Sequence, residues 1–264
     1  MKVAILLSGH MRTYDKTIES WKKYIPNFNN IDIFIHTWDT IDRLTESFYK
    51  TSNKTYSIDI NNIKEIYKPK DIMIEKQNLK DTNLLWPDCT ESIKGSFYYF
   101  QSWYKVNQLK INYENKHNFV YDLVIKIRPD IFLKELLPLN NINLNFVYIF
   151  GRLNNDFSTK YQYELTTTNF KLLNNKLSII QYSAADTLLI SNSNNMNYIA
   201  NIGTKIWWEY EKKNQENIKK GQKYKNRAWG LKATHLIDYL IDSNLNIKLT
   251  QFYYPKYWDK LLLK

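Results

Sequence analysis

The stretch YDLVIKIRPDIF, residues 121–132, indicates the fold class of this chain. Its apolar residues are too few for a helix and mostly β-branched, which favours a buried central strand. Pro129 cannot donate to a sheet ladder, so we expect the strand to end there. Arg128 and Asp130 then lie at its carboxyl end, where open α/β sheets bind their ligands. The stretch therefore predicts a sheet centre and an active site beside it.

Strands and helices are predicted to alternate around this central strand. A strand at residues 2–7 leads through a turn into a helix whose Ile18, Trp21 and Ile25 share one face, and a second strand follows at 32–39. Further elements are a short helix at 60–67, a strand at 71–75, a long buried helix at 92–116, and strands at 146–150, 186–191 and 245–249. This order predicts one α/β domain over residues 1–264, with a mostly parallel central sheet flanked by helices.

Residues 152–178 are rich in Asn and Thr and carry few signals of a core, so we expect a mobile insertion near the site. Ser193 is predicted to cap a helix that follows the strand at 186–191.

Composition limits the classes of protein and of partner. One cysteine permits no intrachain disulfide, so a cytoplasmic location is expected. The formal charge of +11 suits nucleic acid, an anionic membrane surface or a phosphorylated substrate, but the lysines are scattered. We therefore expect no nucleic-acid partner and no transmembrane segment, while peripheral membrane contact stays compatible with the charge. The apolar opening residues are interpreted as a strand, since they are too few for a signal peptide.

Several common motifs are absent from the sequence. With six glycines, it contains neither G-x-G-x-x-G after the first strand nor G-x-x-x-x-G-K-[ST]. G-x-S-x-G is missing, and one cysteine with four scattered histidines gives no zinc spacing. Dinucleotide folds, P-loop proteins, serine hydrolases and zinc modules are thereby disfavoured.

Polar residues collect at the predicted strand ends. They are residues 8–12, 36–39, 128–130 and Asp186. In a parallel sheet these ends gather at one edge and combine a turn, two arginines and three carboxylates. Arginine matches phosphate oxygens, and aspartate can bind ribose hydroxyls or a divalent metal, so the set suits a nucleotide diphosphate.

Four motifs in this order carry a family resemblance: LLSGHMRT (6–13), DIFIHTWD (32–39), YDLVIKIRPD (121–130) and ADTLLISNS (185–193). The series resembles that of bacterial and viral glycosyltransferases that use nucleotide sugars and have a GT-A-like, Rossmann-like fold. The resemblance covers residues 1–250. It implies a hexosyl- or pentosyltransferase that moves a sugar from a nucleotide diphosphate sugar to a hydroxyl of a glycan acceptor, in a surface polysaccharide or a glycoprotein glycan.

The resemblance also implies roles for individual residues. Ser8, Gly9, Arg12 and Asp39 would line the nucleotide pocket, and Arg12, Arg128 and Asp130 would stabilise the leaving group. Asp186 would contact the donor sugar or take the acceptor proton. Two residues stand in the positions of ligands for Mn²⁺ or Mg²⁺. They are Asp130, in the Asp-x-Asp motif, and His235.

One departure from the family pattern concerns the metal. Arg128 stands where the first carboxylate of Asp-x-Asp is expected. A cation beside Asp130 repels a second cation and could itself neutralise the diphosphate, so metal dependence stays open.

Structural explanations compete with these roles. Arg128 and Asp130 could form only an ion pair, Asp39 could cap a helix, and His36 fits a hydrogen-bonded core histidine better than a ligand. His235 suits a surface role. At the level of function, the alternative is a non-catalytic nucleotide- or anion-binding protein with an electropositive cleft. A glycoside hydrolase would need two carboxylates facing each other across a sugar.

Overall fold

The computed structural model describes residues 1–41, 57–77, 91–151, 163–165, 188–204 and 245–251, with isolated positions between 206 and 243. These residues form four α-helices and eight strands. They are β1 (Val3–Ser8), α1 (Tyr14–Tyr24), β2 (Asp32–Trp38), α2 (Ile60–Tyr67), β3 (Asp71–Glu75), α3 (Glu91–His117), β4 (Leu123–Ile127), β5 (Phe146–Gly151), β6 (Tyr163–Leu165), β7 (Leu188–Ser191), α4 (Ser193–Ala200) and β8 (Asn246–Gln251).

The eight described strands form one sheet in the order β3-β2-β1-β4-β7-β5-β8-β6. The pairs β1–β2, β1–β4, β2–β3 and β5–β8 are parallel. Only β7 and β6 run against the other six strands. The prediction of an α/β fold with a mostly parallel sheet is confirmed, and β4 lies inside the sheet as expected.

Helices cover both faces of this sheet, because successive side chains of a strand point to opposite faces and apolar side chains on each face must be buried. Ala4 and Leu6 of β1 pack in the same core as Phe100 and Trp103 of α3. Leu7, on the opposite face of β1, shares a second core with helix residues that include Ile18, Trp21 and Ile63. The first core holds α3 and α4, and the second holds α1 and α2.

The direction of β7 corrects the expectation that the site is made only of parallel strand ends. Leu188 of β7 lies opposite Ile127 of β4 in an antiparallel pair. The beginning of β7, and not its end, therefore lies at the edge where β4 ends.

Two smaller predictions are also corrected. Part of the expected insertion at 152–178 is strand β6, which pairs with β8, and the remaining residues of that segment lie outside those described. Asn192, not Ser193, caps α4, because its side chain accepts the N–H of Asn195 at 2.8 Å. The hydroxyl of Ser193 instead donates to buried Glu114 at 2.7 Å. Among the described helices, none combines the length and the apolar character needed to cross a bilayer.

Candidate functional site

The sheet changes its winding direction between β1 and β4. From β1 the chain passes through α1 and α2 to β2 and β3 on one side, and then returns through α3, on the other face, to β4. Such a topological switch opens a crevice at the carboxyl ends of the two strands, which is where open α/β sheets bind ligands. The order β3-β2-β1-β4 is also that of the first strands of the doubly wound nucleotide-binding fold.

A buried carboxylate lies between two arginines at this switch point. Arg128 donates from Nε to Oδ1 of Asp130 at 2.9 Å and from Nη2 to Oδ2 at 2.5 Å. Arg12, in the loop after β1, places Nη1 3.6 Å from the same Oδ2. Both loops that border the crevice therefore meet at Asp130.

The electrostatics of Asp130 follow from this contact. Burial alone would raise its pKa, but the charge and hydrogen bonds of Arg128, and the charge of Arg12, hold the pKa below its ordinary value. Asp130 is thus an anion, and the three side chains carry a net charge of +1. The side chain of Asp130 is only 4% exposed, whereas those of Arg12 and Arg128 are 11% and 21% exposed. Each arginine side chain is therefore more accessible than the carboxylate that lies between them.

Helix α1 holds the chain segment that carries Asp130. Thr17 donates to the carbonyl of Pro129 at 2.7 Å, and the indole of Trp21 donates to the carbonyl of Ile131 at 2.7 Å. Ser20 accepts the N–H of Leu133 at 3.1 Å. These buried bonds fix the position of the residues after β4. The sequence predicted Trp21 as a core residue, but no pattern in it indicated these bonds.

The turn after β1 leaves room above the strand ends. Gly9 has φ +114°, a conformation that disfavours other residues, and its N–H donates to the carbonyl of His36 at 3.2 Å. A Cβ added to Gly9 would have no heavy atom of the described residues within 4 Å. Ser8 Oγ and Asp39 Oδ1 are buried, and neither has a hydrogen-bond partner in the part of the chain that the structure describes. Since such groups are costly to leave unpaired, both oxygens suit hydrogen bonds from a ligand.

Asp39 does not cap a helix, which was the structural alternative to a role in the nucleotide pocket. Its N–H donates to Glu75 O at 2.8 Å, and its carbonyl accepts the N–H of Ile58 at 3.2 Å. Thr40, the next residue, forms an antiparallel bridge with Ser57 and so does not begin a helix.

His36 is a hydrogen-bonded core histidine, as the sequence predicted. Its Nε2 lies 2.8 Å from Glu75 Oε2, and its Nδ1 lies 2.7 Å from Ser102 Oγ. Because an ionised carboxylate can only accept, we assign the proton of neutral His36 to Nε2. Lys105 also contacts Glu75. No pattern in the sequence indicated Glu75, Ser102 or Lys105 as partners of His36, since they belong to the distant elements β3 and α3.

The residues around Asp130 do not fit a divalent metal. Both of its oxygens are bound by arginine, and Mn²⁺ or Mg²⁺ there would face two guanidinium groups. In the described part of the chain, His, Cys, Asp and Glu form no group of three that could hold an ion. His235, the second predicted ligand, lies outside the described residues, and so does Asp186. The structure thus brings Ser8, Gly9, Arg12, Arg128 and Asp130 to one sheet edge, with Asp39 at the end of the neighbouring strand.

Fold and site together define an α/β protein in which two arginines surround a buried aspartate at the switch point of the sheet. The chain belongs to a family described as a domain of unknown function, DUF7796, whose model matches residues 1–187. The match includes Arg12, Arg128, Asp130 and Asp186. No curated protein matches this chain.

Proposed function

We propose that this protein is a glycosyltransferase that moves a sugar from a nucleotide diphosphate sugar to a hydroxyl of a glycan acceptor. The observation that carries the proposal is the pair of arginines held by Asp130 at the switch point. Two guanidinium groups on neighbouring loops suit a diphosphate, because each fork can bind two oxygens of a phosphate group.

The surroundings of the arginines support a nucleotide ligand. The open space above Gly9 lies at the carboxyl end of the central strand β1. Ser8 Oγ and Asp39 Oδ1 provide buried acceptors for N–H or O–H groups of a ribose or a base. The strand order and the antiparallel β7 beside β4 are consistent with the GT-A-like fold that the sequence motifs resemble.

The proposed reaction breaks the bond between the anomeric carbon of the sugar and the diphosphate oxygen. The acceptor hydroxyl forms the new bond and gives up its proton, while the diphosphate leaves with the bonding electron pair. Arg12 and Arg128 stabilise the negative charge that develops on the leaving group. Asp186 is assigned contact with the donor sugar or uptake of the acceptor proton. This assignment rests on the resemblance and on β7 beginning at the edge where β4 ends.

The test measures nucleoside diphosphate release from a panel of UDP-, GDP-, ADP- and dTDP-sugars, with and without glycan acceptors. Release of nucleoside diphosphate that is lost in Arg12→Ala and also in Arg128→Ala supports a transferase. Lys22→Ala is the matched control, because Lys22 is an exposed cation on α1 that pairs with Glu19. Nucleotide binding without release from any donor would instead favour the non-catalytic binding protein, and absence of binding would contradict both.

A further inference from the structure

We infer that Arg12 and Arg128 neutralise the diphosphate without a bound divalent cation, and that Asp130 is the counter-ion that positions them. The inference rests on the proposed function and specifies how its leaving group is stabilised. It departs from the metal at Asp130 that the sequence resemblance implies.

The first support is the state of the Asp130 carboxylate. Arg128 binds one oxygen through Nε and the other through Nη2, at 2.9 and 2.5 Å. Mg²⁺ binds carboxylate oxygens at roughly 2.0–2.1 Å in near-octahedral geometry. To coordinate it, Asp130 would have to give up one or both of these hydrogen bonds. A metal at Asp130 would therefore compete with the arginines for the same oxygens.

The second support is the identity of residue 128. An Asp-x-Asp site would offer a second carboxylate there, but Arg128 supplies a cation. Arg12 adds another cation 3.6 Å from Asp130 Oδ2. A divalent ion at this carboxylate would be repelled by both guanidinium groups, whereas a diphosphate would be attracted by them.

The third support is the exposure of the three side chains. Asp130 is nearly covered, while Arg12 and Arg128 keep 11% and 21% of their side-chain surface accessible. The two arginine side chains are thus more accessible to a ligand at the sheet edge than the carboxylate is. Each guanidinium carries five N–H donors in a planar fork, and Arg128 commits two of them to Asp130. This arrangement favours an anion as the ligand.

Calorimetry of UDP, GDP, ADP, CDP and dTDP with the whole chain tests the inference, in buffer with EDTA and in buffer with Mn²⁺ or Mg²⁺. We expect the tightest of these ligands to bind with the same affinity in both buffers, to within about twofold. Arg12→Ala and Arg128→Ala should each weaken it by roughly 30-fold or more in EDTA, the loss expected for a charge-assisted contact.

Two further variants keep the test decisive if Arg128→Ala fails to fold. Arg128→Lys keeps the charge but loses the bidentate geometry, so it should weaken diphosphate binding with and without metal. Asp130→Asn keeps the size of the side chain and removes the charge a metal would need. Mn²⁺ should change the affinity of Asp130→Asn for the nucleoside diphosphate no more than it changes that of the parent protein. Melting curves of all variants separate loss of fold from loss of binding.

The outcomes distinguish this inference from the proposed function. Binding that requires Mn²⁺ or Mg²⁺ in the parent would overturn the inference while the nucleotide site stands, and loss of that metal-stimulated binding in Asp130→Asn would assign the metal to Asp130. Unchanged affinity in folded Arg12→Ala and Arg128→Lys would also overturn it. If none of the nucleoside diphosphates binds in either buffer, the proposed function itself fails.

Discussion

The hydroxyl of Thr17 on α1 donates a 2.7 Å hydrogen bond to the carbonyl of Pro129, 112 positions later in the chain. Both residues lie next to the site, since Pro129 stands between Arg128 and Asp130. The bond therefore links the helix that follows the glycine turn to the loop that carries the carboxylate.

This bond leads to a prediction for stability. Thr17→Val keeps the shape of the side chain but leaves the Pro129 carbonyl unsatisfied in a buried place, which should cost about 1–3 kcal/mol. Thr17→Ser keeps the hydroxyl and is the matched control. Urea denaturation should show a lower midpoint with an unchanged slope for Thr17→Val and a smaller shift for Thr17→Ser. A larger shift for Thr17→Ser than for Thr17→Val would mean that the methyl group contributes more to stability than the hydrogen bond does.

The second prediction concerns nucleotide affinity. Arg12→Ala should weaken binding of the preferred nucleoside diphosphate by about 2 kcal/mol or more, because a charged contact in a mostly buried site is lost. Isothermal calorimetry measures this, with Lys22→Ala as a control that removes an exposed cation of the same region. Parental affinity in Arg12→Ala for every nucleoside diphosphate would remove Arg12 from the site.

Asp186 is the subject of the third prediction. Asp186→Asn should lower turnover by roughly 100-fold or more and leave nucleotide affinity nearly unchanged, as expected for a group that acts on the sugar or on the acceptor proton. Initial rates and calorimetry on the same preparation measure the two quantities, and a melting curve checks the fold. An equal loss of turnover and affinity would indicate a structural role.

The fourth prediction is a loss of stability in acid at the His36–Glu75 pair. Burial lowers the pKa of His36 below its ordinary value of 6.5, although Glu75 opposes this. The hydrogen bond from His36, followed by contact with Lys105, outweighs burial and lowers the pKa of Glu75 to about 2. Below pH 6.5 the unfolded chain takes up a proton that folded His36 does not. Between pH 4.5 and about 2 the same holds for Glu75, so both groups reduce stability as the pH falls.

Urea unfolding between pH 8 and pH 4 measures this effect. The free energy of unfolding should fall below pH 6.5, with a contribution from His36 of at most about 1.4 kcal/mol per pH unit. His36→Gln retains an amide that can bond to Glu75 and Ser102, and it should flatten the profile just below pH 6.5. Parallel profiles for parent and variant would show that His36 does not titrate differently in the folded and unfolded chains.

Local sequence alone predicted several of the described elements, although it did not predict β6. Periodicity and Pro26 defined α1, and the β-branched run before Pro129 defined β4, because these signals depend only on near neighbours in the chain. The predicted bounds of α2 and β3 agree with the structure, Ile60–Tyr67 and Asp71–Glu75. The approach of Arg12 to Asp130 also followed from sequence, since parallel strands place their carboxyl ends at one edge.

Tertiary structure decided what depends on pairing between distant segments. A strand's sequence does not state its direction, so the antiparallel course of β7 came only from its register with Ile127. Asn192 and not Ser193 caps α4, and the hydroxyl of Ser193 is bound instead by Glu114 and Lys110, which are far away in sequence. Most of all, the sequence left open whether Asp130 binds a metal or pairs with Arg128, and only the structure shows arginine at both carboxylate oxygens, since that depends on how the loops after β1 and β4 meet.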